Sequence, residues 1–569
     1  MYSCLDYRGN ERSHGRRTSI LLQVGGLAVG IFCLATAGGC KVGPDYRPPS
    51  TQAQMPDAWH EAAVRGLGRG QSEVQTWWSV FQDPTLTSLI ERAGVDNLQL
   101  KEAVSRIREA RAARGVATGE LFPTVSANAS YERARVSENG LQAPPPRVGK
   151  AEQFAQSAGA GVASAVASGV TGVPAPITNA AFGLIPPPTH AIAPDQTNLS
   201  TMGFDSSWEI DVFGGIRRNI ESSDASLQAT VEQYRDLLVT LLAEVALNYA
   251  EVRTFQARLE YARNNVTLQR ETLGLVKVRR ENGLVPDLDV AQAEYNLANT
   301  ESLIPNLETG LVQAINRLGV LLGRPPAALH EELGTKAPIP VPPAEVAMGL
   351  PADLLRQRPD IRSAERVLAA QTAQIGVATS YLYPRFSLSG TFALQGTQVK
   401  NLGNWDSRAW SFGPSMRWDI FDGVRNIYRI LAAQAVTEQA RARYEQTVLT
   451  ALQDVENAMV AYKQEQIRRD ALARAAQSAE LAVKLVKDLY QNGLTDFQNV
   501  LDTERSLFQQ QDLLAASEGQ VTKNLIALYK ALGGGWNTEE KFAAPLPSVE
   551  PAGDTKAASA QAPTTRPGV

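Results

Sequence analysis

The chain has 569 residues, 44% hydrophobic and 20% charged, with 55 Lys plus Arg against 59 Asp plus Glu. Those figures argue against a collagen-like, a disordered or a bundled transmembrane-helix chain, and a net charge of −4 lacks the basic footprint of a nucleic-acid binder. Cysteines stand only at Cys4, Cys33 and Cys40, so a disulfide scaffold, a zinc ribbon and a thiol enzyme are all disfavoured.

The first segment reads as an address. Arg8, Arg12, Arg16 and Arg17 precede an apolar run, ILLQVGGLAVGIFCLAT, that ends in AGGC. This is the layout of an export signal, and the run is at the short end for a spanning helix. The small residues Ala37, Gly38 and Gly39 before Cys40 predict a lipoprotein signal over 1–39, with Cys40 as the acylated first residue of the mature chain. Each buried methylene of an acyl chain contributes roughly 0.8 kcal/mol, so several chains on one residue hold firmly to a membrane. Lys41 stands where an aspartate would favour inner-membrane retention, which points to the outer membrane of a diderm bacterium.

The body is duplicated. GVATGELFPTVS from Gly115 and GVATSYLYPRFS from Gly376 share seven of twelve positions at a separation of 261. DVFGGIR from Asp211 matches DIFDGVR from Asp419 at 208, Asn282-Gly283-Leu284 matches Asn492-Gly493-Leu494 at 210, and Leu322-Gly323 matches Leu532-Gly533 at 210. The drop from 261 to 208 means that the first copy carries 53 extra residues, seen as an Ala/Gly-rich insert at about 144–197.

Between the matched motifs each copy holds two segments of period two, which predict strands. In the second copy Phe386, Leu388, Phe392 and Leu394 alternate with Ser387, Ser389, Thr391 and Gln395, and Trp410, Phe412, Met416, Trp418 and Ile420 alternate with Ser411, Ser415, Arg417 and Asp419. In the first copy Val125, Ala127, Ala129 and Tyr131 form one face, as do Met202, Phe204, Trp208, Ile210 and Val212. Lengths near 9–11 residues with aromatic ends suit membrane-barrel strands. Four strands cannot close a barrel, and an open edge in lipid leaves backbone groups unpaired at several kcal/mol each. The chain is therefore expected to pool strands with copies of itself, giving eight, twelve or sixteen strands from two, three or four chains.

Proline is absent from about 216 to 282 and from about 424 to 492, and each stretch would span about 100 Å as one helix. Leu227, Val231, Tyr234, Leu238, Leu241, Val245, Tyr249 and Val252 recur at coiled-coil spacing. Asn282-Gly283 and Asn492-Gly493 should end these helices, Asp287 and Thr495 should cap the next, and the chain should return through 288–322 and 497–532. Shorter helices at about 97–121 and 360–382 lead into the strands.

Specific motifs then make a match. Cys40 is followed by KVGPDYRPP, Trp77-Trp78 and FQDPTLTSLIERAGVDNLQL, and the last helix ends in LYKALGGGW. Together with the duplicated motifs these closely resemble the TolC-like outer-membrane efflux proteins, in the NodT-like lipoprotein branch, over roughly 40–540. The resemblance implies an α+β membrane protein with a periplasmic α-barrel of long coiled-coil helices and four strands per chain in a trimeric, twelve-stranded outer-membrane β-barrel. It divides the chain into a signal peptide (1–39), an N-terminal equatorial segment (40–95), a first repeat (96–323), an equatorial link (324–352), a second repeat (353–533) and a Pro/Ala-rich tail (534–569). It implies a passive duct, a homotrimer in outer-membrane lipid, that meets a periplasmic adaptor and an inner-membrane pump of the resistance-nodulation-division class. No cofactor beyond a covalent lipid on Cys40 is expected.

By the same resemblance Asp502 and Arg505 are candidates for a constriction, with Asn499 one turn earlier where related channels can carry another acid. As an ordinary i, i+3 pair, Asp502 and Arg505 would contribute only a few tenths of a kcal/mol. Asn282, Gly283, Leu284 and Val285, with Asn492, Gly493, Leu494 and Thr495, form exposed turns that could receive the adaptor. Catalysis has little support: after the signal only His60, His190 and His330 remain, and no phosphate loop occurs. A duct for type I protein secretion and a pore-free coiled-coil lipoprotein are the competing readings.

Overall fold

The computed structural model describes residues 40–49, 59, 67–69, 75–135, 196–343, 346–348 and 357–537. The signal at 1–39, nearly all of the insert, His60, His190 and almost all of the tail lie outside the described residues.

Each repeat builds the same series. The first runs through α1 (Pro84–Asp96), α2 (Leu98–Gly119), β2 (Thr124–Arg135), β3 (Gln196–Ile210), α3 (Gly215–Glu281) and α4 (Asp287–Leu321). A short α5 (His330–Leu333) lies in the link, and the second repeat has α6 (Pro359–Ser380), β5 (Arg385–Gly396), β6 (Arg408–Arg417), α7 (Arg425–Gln491) and α8 (Phe497–Ala531). α3 and α7 have 67 residues each and α4 and α8 have 35 each, so the two proline-free stretches fold as the matched pair that the duplication requires. None of the described helices is long and apolar enough to cross a membrane.

The chain divides into two compact units that each draw on both repeats: Met1–Pro48, Ala113–Ser226 and Val367–Arg441 in one, and Pro49–Ala112, Leu227–Arg366 and Ala442–Val569 in the other. The first unit holds a four-stranded antiparallel sheet in the order β2-β3-β5-β6. Its register aligns Ala127, Phe204, Phe392 and Trp410 in one cross-strand row, and Ser126, Asp205, Thr391 and Ser411 in the next. Apolar and polar side chains thus keep largely to opposite faces, with Ser206 and Arg408 on the apolar face and Leu199 on the polar face among the exceptions. On the polar face Asn128 donates to Asp205 at 2.6 Å, and the hydroxyls of Thr391 and Ser411 lie 2.8 Å apart. On the apolar face Val125, Met202, Phe204, Trp410 and Phe412 are more than half exposed, an apolar patch that water would not tolerate but lipid would.

Two strand ends differ from the sequence expectation. β3 starts at Gln196, inside the range expected for the insert, and β3 and β6 stop early, leaving Val212, Trp418 and Ile420 beyond the ladder. Near these ends the Trp208 and Trp418 indoles donate to the carbonyls of Leu121 and Leu382, the equivalent residues at the helix-to-strand corners of the two copies.

The second unit is helical. The α3 seam is buried from Leu238 through Leu241, Val245, Tyr249 and Val252, while Leu227, Val231 and Tyr234 are half-buried. Its core also takes Trp77, Phe81, Leu86, Ile90, Tyr462 and Tyr529, and Trp77 stacks on Tyr529 at 5.6 Å. α1 starts on Pro84 behind Asp83, whose carboxylate accepts from the Thr85 and Leu86 amides and, at 2.6 Å, from the Tyr249 hydroxyl. Burial, helped by that bond to an acid, pushes Tyr249 up to about 12. Two short parallel strands, β1 (Leu67–Arg69) and β4 (Val346–Met348), join the N-terminal segment to the inter-repeat link.

Candidate functional site

The candidate site is the end of the helical unit where both long hairpins turn. α3 closes on Gly283 (φ 69°) and α7 on Gly493 (φ 74°), left-handed positions that an L side chain resists. In each, the glycine amide bonds back three residues and the following leucine amide five, to Arg279 and Leu489 at 2.9 Å. Asn282 and Asn492 each return a side-chain amide to the carbonyl four residues back at 2.7 Å. The repeated Asn-Gly-Leu is therefore one helix stop, and it leaves Leu284 and Leu494 65% and 72% exposed. Val285 and Thr495 are half-buried.

The two turns are brought together. Val276, Ala293, Tyr490, Phe497, Val500 and Leu501 form a separate apolar cluster there, with Val285 packed against it. Arg279 lies over the Tyr490 ring and donates to the Tyr490 and Gln491 carbonyls at 2.7 and 3.1 Å, placing a cation on the last carbonyls of α7.

The expected helix caps are corrected. Pro286 and Asp496 occupy the cap positions, and neither makes a side-chain cap bond. Asp287 is the first residue of α4 and pairs with Arg280 at 2.6 Å, and Thr495 accepts from the Asn499 amide at 2.9 Å. A proline side chain can cap no amide, and Asp287, already the first helical residue, turns its carboxylate to Arg280 in an exposed pair.

Asp502 is exposed on α8, accepting from Gln498 at 3.0 Å and lying 3.7 Å from Arg505. Arg505 also reaches across to α4, donating to the Asn296 side-chain oxygen Oδ1 at 3.0 Å and lying near the Tyr295 ring. Between them in sequence, Glu504 points the other way and is fully buried. It accepts from Thr272 at 2.5 Å and lies 4.0 Å from the Lys487 ammonium, while its second oxygen has no partner. Burial raises its carboxyl above the ordinary glutamate range, against the pull of Thr272 and Lys487. Neither Glu504 nor Arg279 stood out in the sequence; an acid two places from Asp502 must face away from it on a helix, which is the signal that could have marked Glu504.

Other candidates fall elsewhere. Cys40 is exposed and its sulfur is free. His330 bonds Asn316 at 2.9 Å. An open pocket of about 400 Å³ in the strand unit is lined by Glu120, Glu209, Asp211 and Arg385, but Asp211 is already committed to the Ile216 and Arg217 amides at the start of α3.

The sequence pattern of the outer membrane efflux proteins matches residues 89–324 and 350–534, one block on each repeat. The chain belongs to the outer membrane efflux protein family. This outer membrane efflux protein is 29% identical over 503 residues to nodulation protein T of Rhizobium leguminosarum bv. trifolii, spanning 88% of the chain and 96% of that protein. It is 27% identical over 515 residues to the solvent efflux pump outer membrane protein SrpC of Pseudomonas putida, spanning 90% and 98%. The solved outer-membrane channel OprN matches with a TM-score of 0.73 and 34% identity over 87% of this chain and 100% of that one. The protein is thus an outer-membrane channel of the efflux type. Its strands are one chain's share of an outer-membrane β-barrel, and its long helices are one chain's share of a periplasmic α-barrel.

Proposed function

We propose that three copies of this efflux protein close into one twelve-stranded barrel, and that the trimer is the passive exit of a three-part machine. A periplasmic adaptor and an inner-membrane pump of the resistance-nodulation-division class complete it, and the pump supplies the energy. The observation that carries this reading is the sheet: among the described residues β2 and β6 each have one unpaired edge, and the large apolar side chains face one way. About half the backbone groups of the twelve-residue β2 point outward from that edge. At several kcal/mol each in lipid they exceed the 5–15 kcal/mol that stabilises a typical domain, so the edges must meet. The polar face then lines the conduit. The family resemblance sets the number at three.

In this reading Asp502 and Arg505, with Asn499 beside them, form the constriction, and Leu284 and Leu494 with their neighbours Asn282, Gly283, Val285, Asn492, Gly493 and Thr495 receive the adaptor. Lipid on Cys40 is the one non-protein group. The cargo is small toxic organic molecules, a reading supported by the solvent efflux relative. Adding the purified protein to planar bilayers tests the channel: discrete conductance steps are expected, and a silent bilayer contradicts it.

A further inference from the structure

The residues after Cys40 are held by a site present only once in a duplicated body. The Val42 amide donates to the Phe213 carbonyl at 3.2 Å. Arg218, 1% exposed, then takes the strap from below: Nε donates to the Val42 carbonyl at 2.9 Å, and Nη2 donates to the Gly43 carbonyl at 3.0 Å and to Asp45 at 2.8 Å. Nη1 donates to Glu221 at 2.8 Å, and Glu221 also pairs with Lys41 at 2.5 Å. Burial pushes the Glu221 carboxyl up, but its bonds from Lys41 and Arg218 outweigh that and hold it below the ordinary range. Tyr46 ends the strap against Ala225, Ala369 and Ala370.

The backbone is shaped for this contact. Gly43 has φ +87°, and a Cβ there would meet the Gly376 Cα at 2.4 Å; a Cβ on Gly376 would meet the Arg218 side chain at 2.7 Å. In the other copy the equivalents are Gly115, with open space where a Cβ would stand, and Asn426, which donates to the Tyr381 carbonyl of its own repeat at 3.1 Å. If the buried arginine served only the strand-to-helix turn, the second copy would need one too. A guanidinium out of water is tolerated only when its fork is filled, and here the strap fills most of it.

We infer that Arg218 is a built-in receptor for the chain's own mature N-terminus, fixing Cys40 against the strand-to-helix turn so that its lipid leaves the body at one defined place. This rests on the reading of Cys40 as lipid-bearing. A fixed anchor adds its membrane affinity to that of the sheet without the freedom of a loose tether.

The test uses cells fed labelled palmitate, isolated membranes and trypsin. The Lys41–Val42 bond is the tryptic site in the strap, because the bond after Arg47 precedes Pro48 and is a poor one. Label on the wild-type protein but not on Cys40→Ala, slow release of it by trypsin, and release at least about tenfold faster from Arg218→Ala with the body of the chain still resistant are expected. Arg218→Lys, which keeps the charge without the fork, should fall between, and it decides the matter if Arg218→Ala does not reach the membrane. Equal release from labelled wild-type and variant proteins overturns the receptor alone. An unlabelled wild-type protein overturns the lipid reading, and the inference with it.

Discussion

Two neighbouring acids on α8 illustrate how a single turn of helix separates roles. Asp502 and Arg505 are both substantially exposed, so their mutual attraction is screened and contributes little to stability. What they offer is charge at a surface: three Asp502 carboxylates around an axis would favour cations, and Arg505 fastens α8 to Asn296 on α4. Asp502→Ala should lower cation selectivity in single-channel recordings, and Arg505→Ala should raise conductance by about twofold or more as that fastening is lost. Conductance and selectivity unchanged in both variants would remove them from the constriction. Glu504 obeys different physics. Its folded-state carboxyl is raised by burial, so above the ordinary glutamate range the native protein holds a proton that the unfolded chain has released. Stability should therefore fall as pH rises through that window, by at most about 1.4 kcal/mol per pH unit for one group. Thermal melts of Glu504→Gln should lack that slope, and a slope that persists contradicts the assignment.

At the scale of elements, the sequence was most legible where one physical rule decides the outcome. Proline-free stretches with a coiled-coil seam gave α3 and α7 within a residue or two at each end, and strict alternation gave β2 and β5. Helix stops at Asn-Gly-Leu were legible because only a few residues accept a positive φ. Caps were not: Asp287 and Thr495 have the right chemistry, but a proline before one and an aspartate after the other shift the cap position. Nor could β1 and β4 be foreseen, since three-residue strands carry no period. Arg279 was invisible for another reason, because its partners lie more than 200 residues away. The tips it joins present two leucines, Leu284 and Leu494, that are largely exposed. A crosslinker on cysteines placed at Val285 and Thr495 should capture the periplasmic adaptor; capture only from positions in the N-terminal equatorial segment around Trp77 would contradict the docking assignment.

For the whole molecule, the duplication explains both what the chain contains and what it lacks. Doubling one unit yields four strands and two long hairpins, enough for a sheet but not for a closed wall, and the unpaired edges of β2 and β6 record the shortfall. Sequence physics reached the need for partners without their number, because eight, twelve and sixteen strands all close. The pore-free coiled-coil alternative fails on that sheet, whose apolar face is continuous over all four strands. The same edges supply the most direct test. Cysteines placed along the polar face of β2 at Ser126, Asn128 and Ser130 can be paired in turn with cysteines along β6 at Ser411, Gly413 and Ser415, and the membranes oxidised. Three chains closed edge to edge predict a covalent ladder of one, two and three chains and no further. A ladder that never leaves the monomer, or that runs past three, would contradict the trimeric channel.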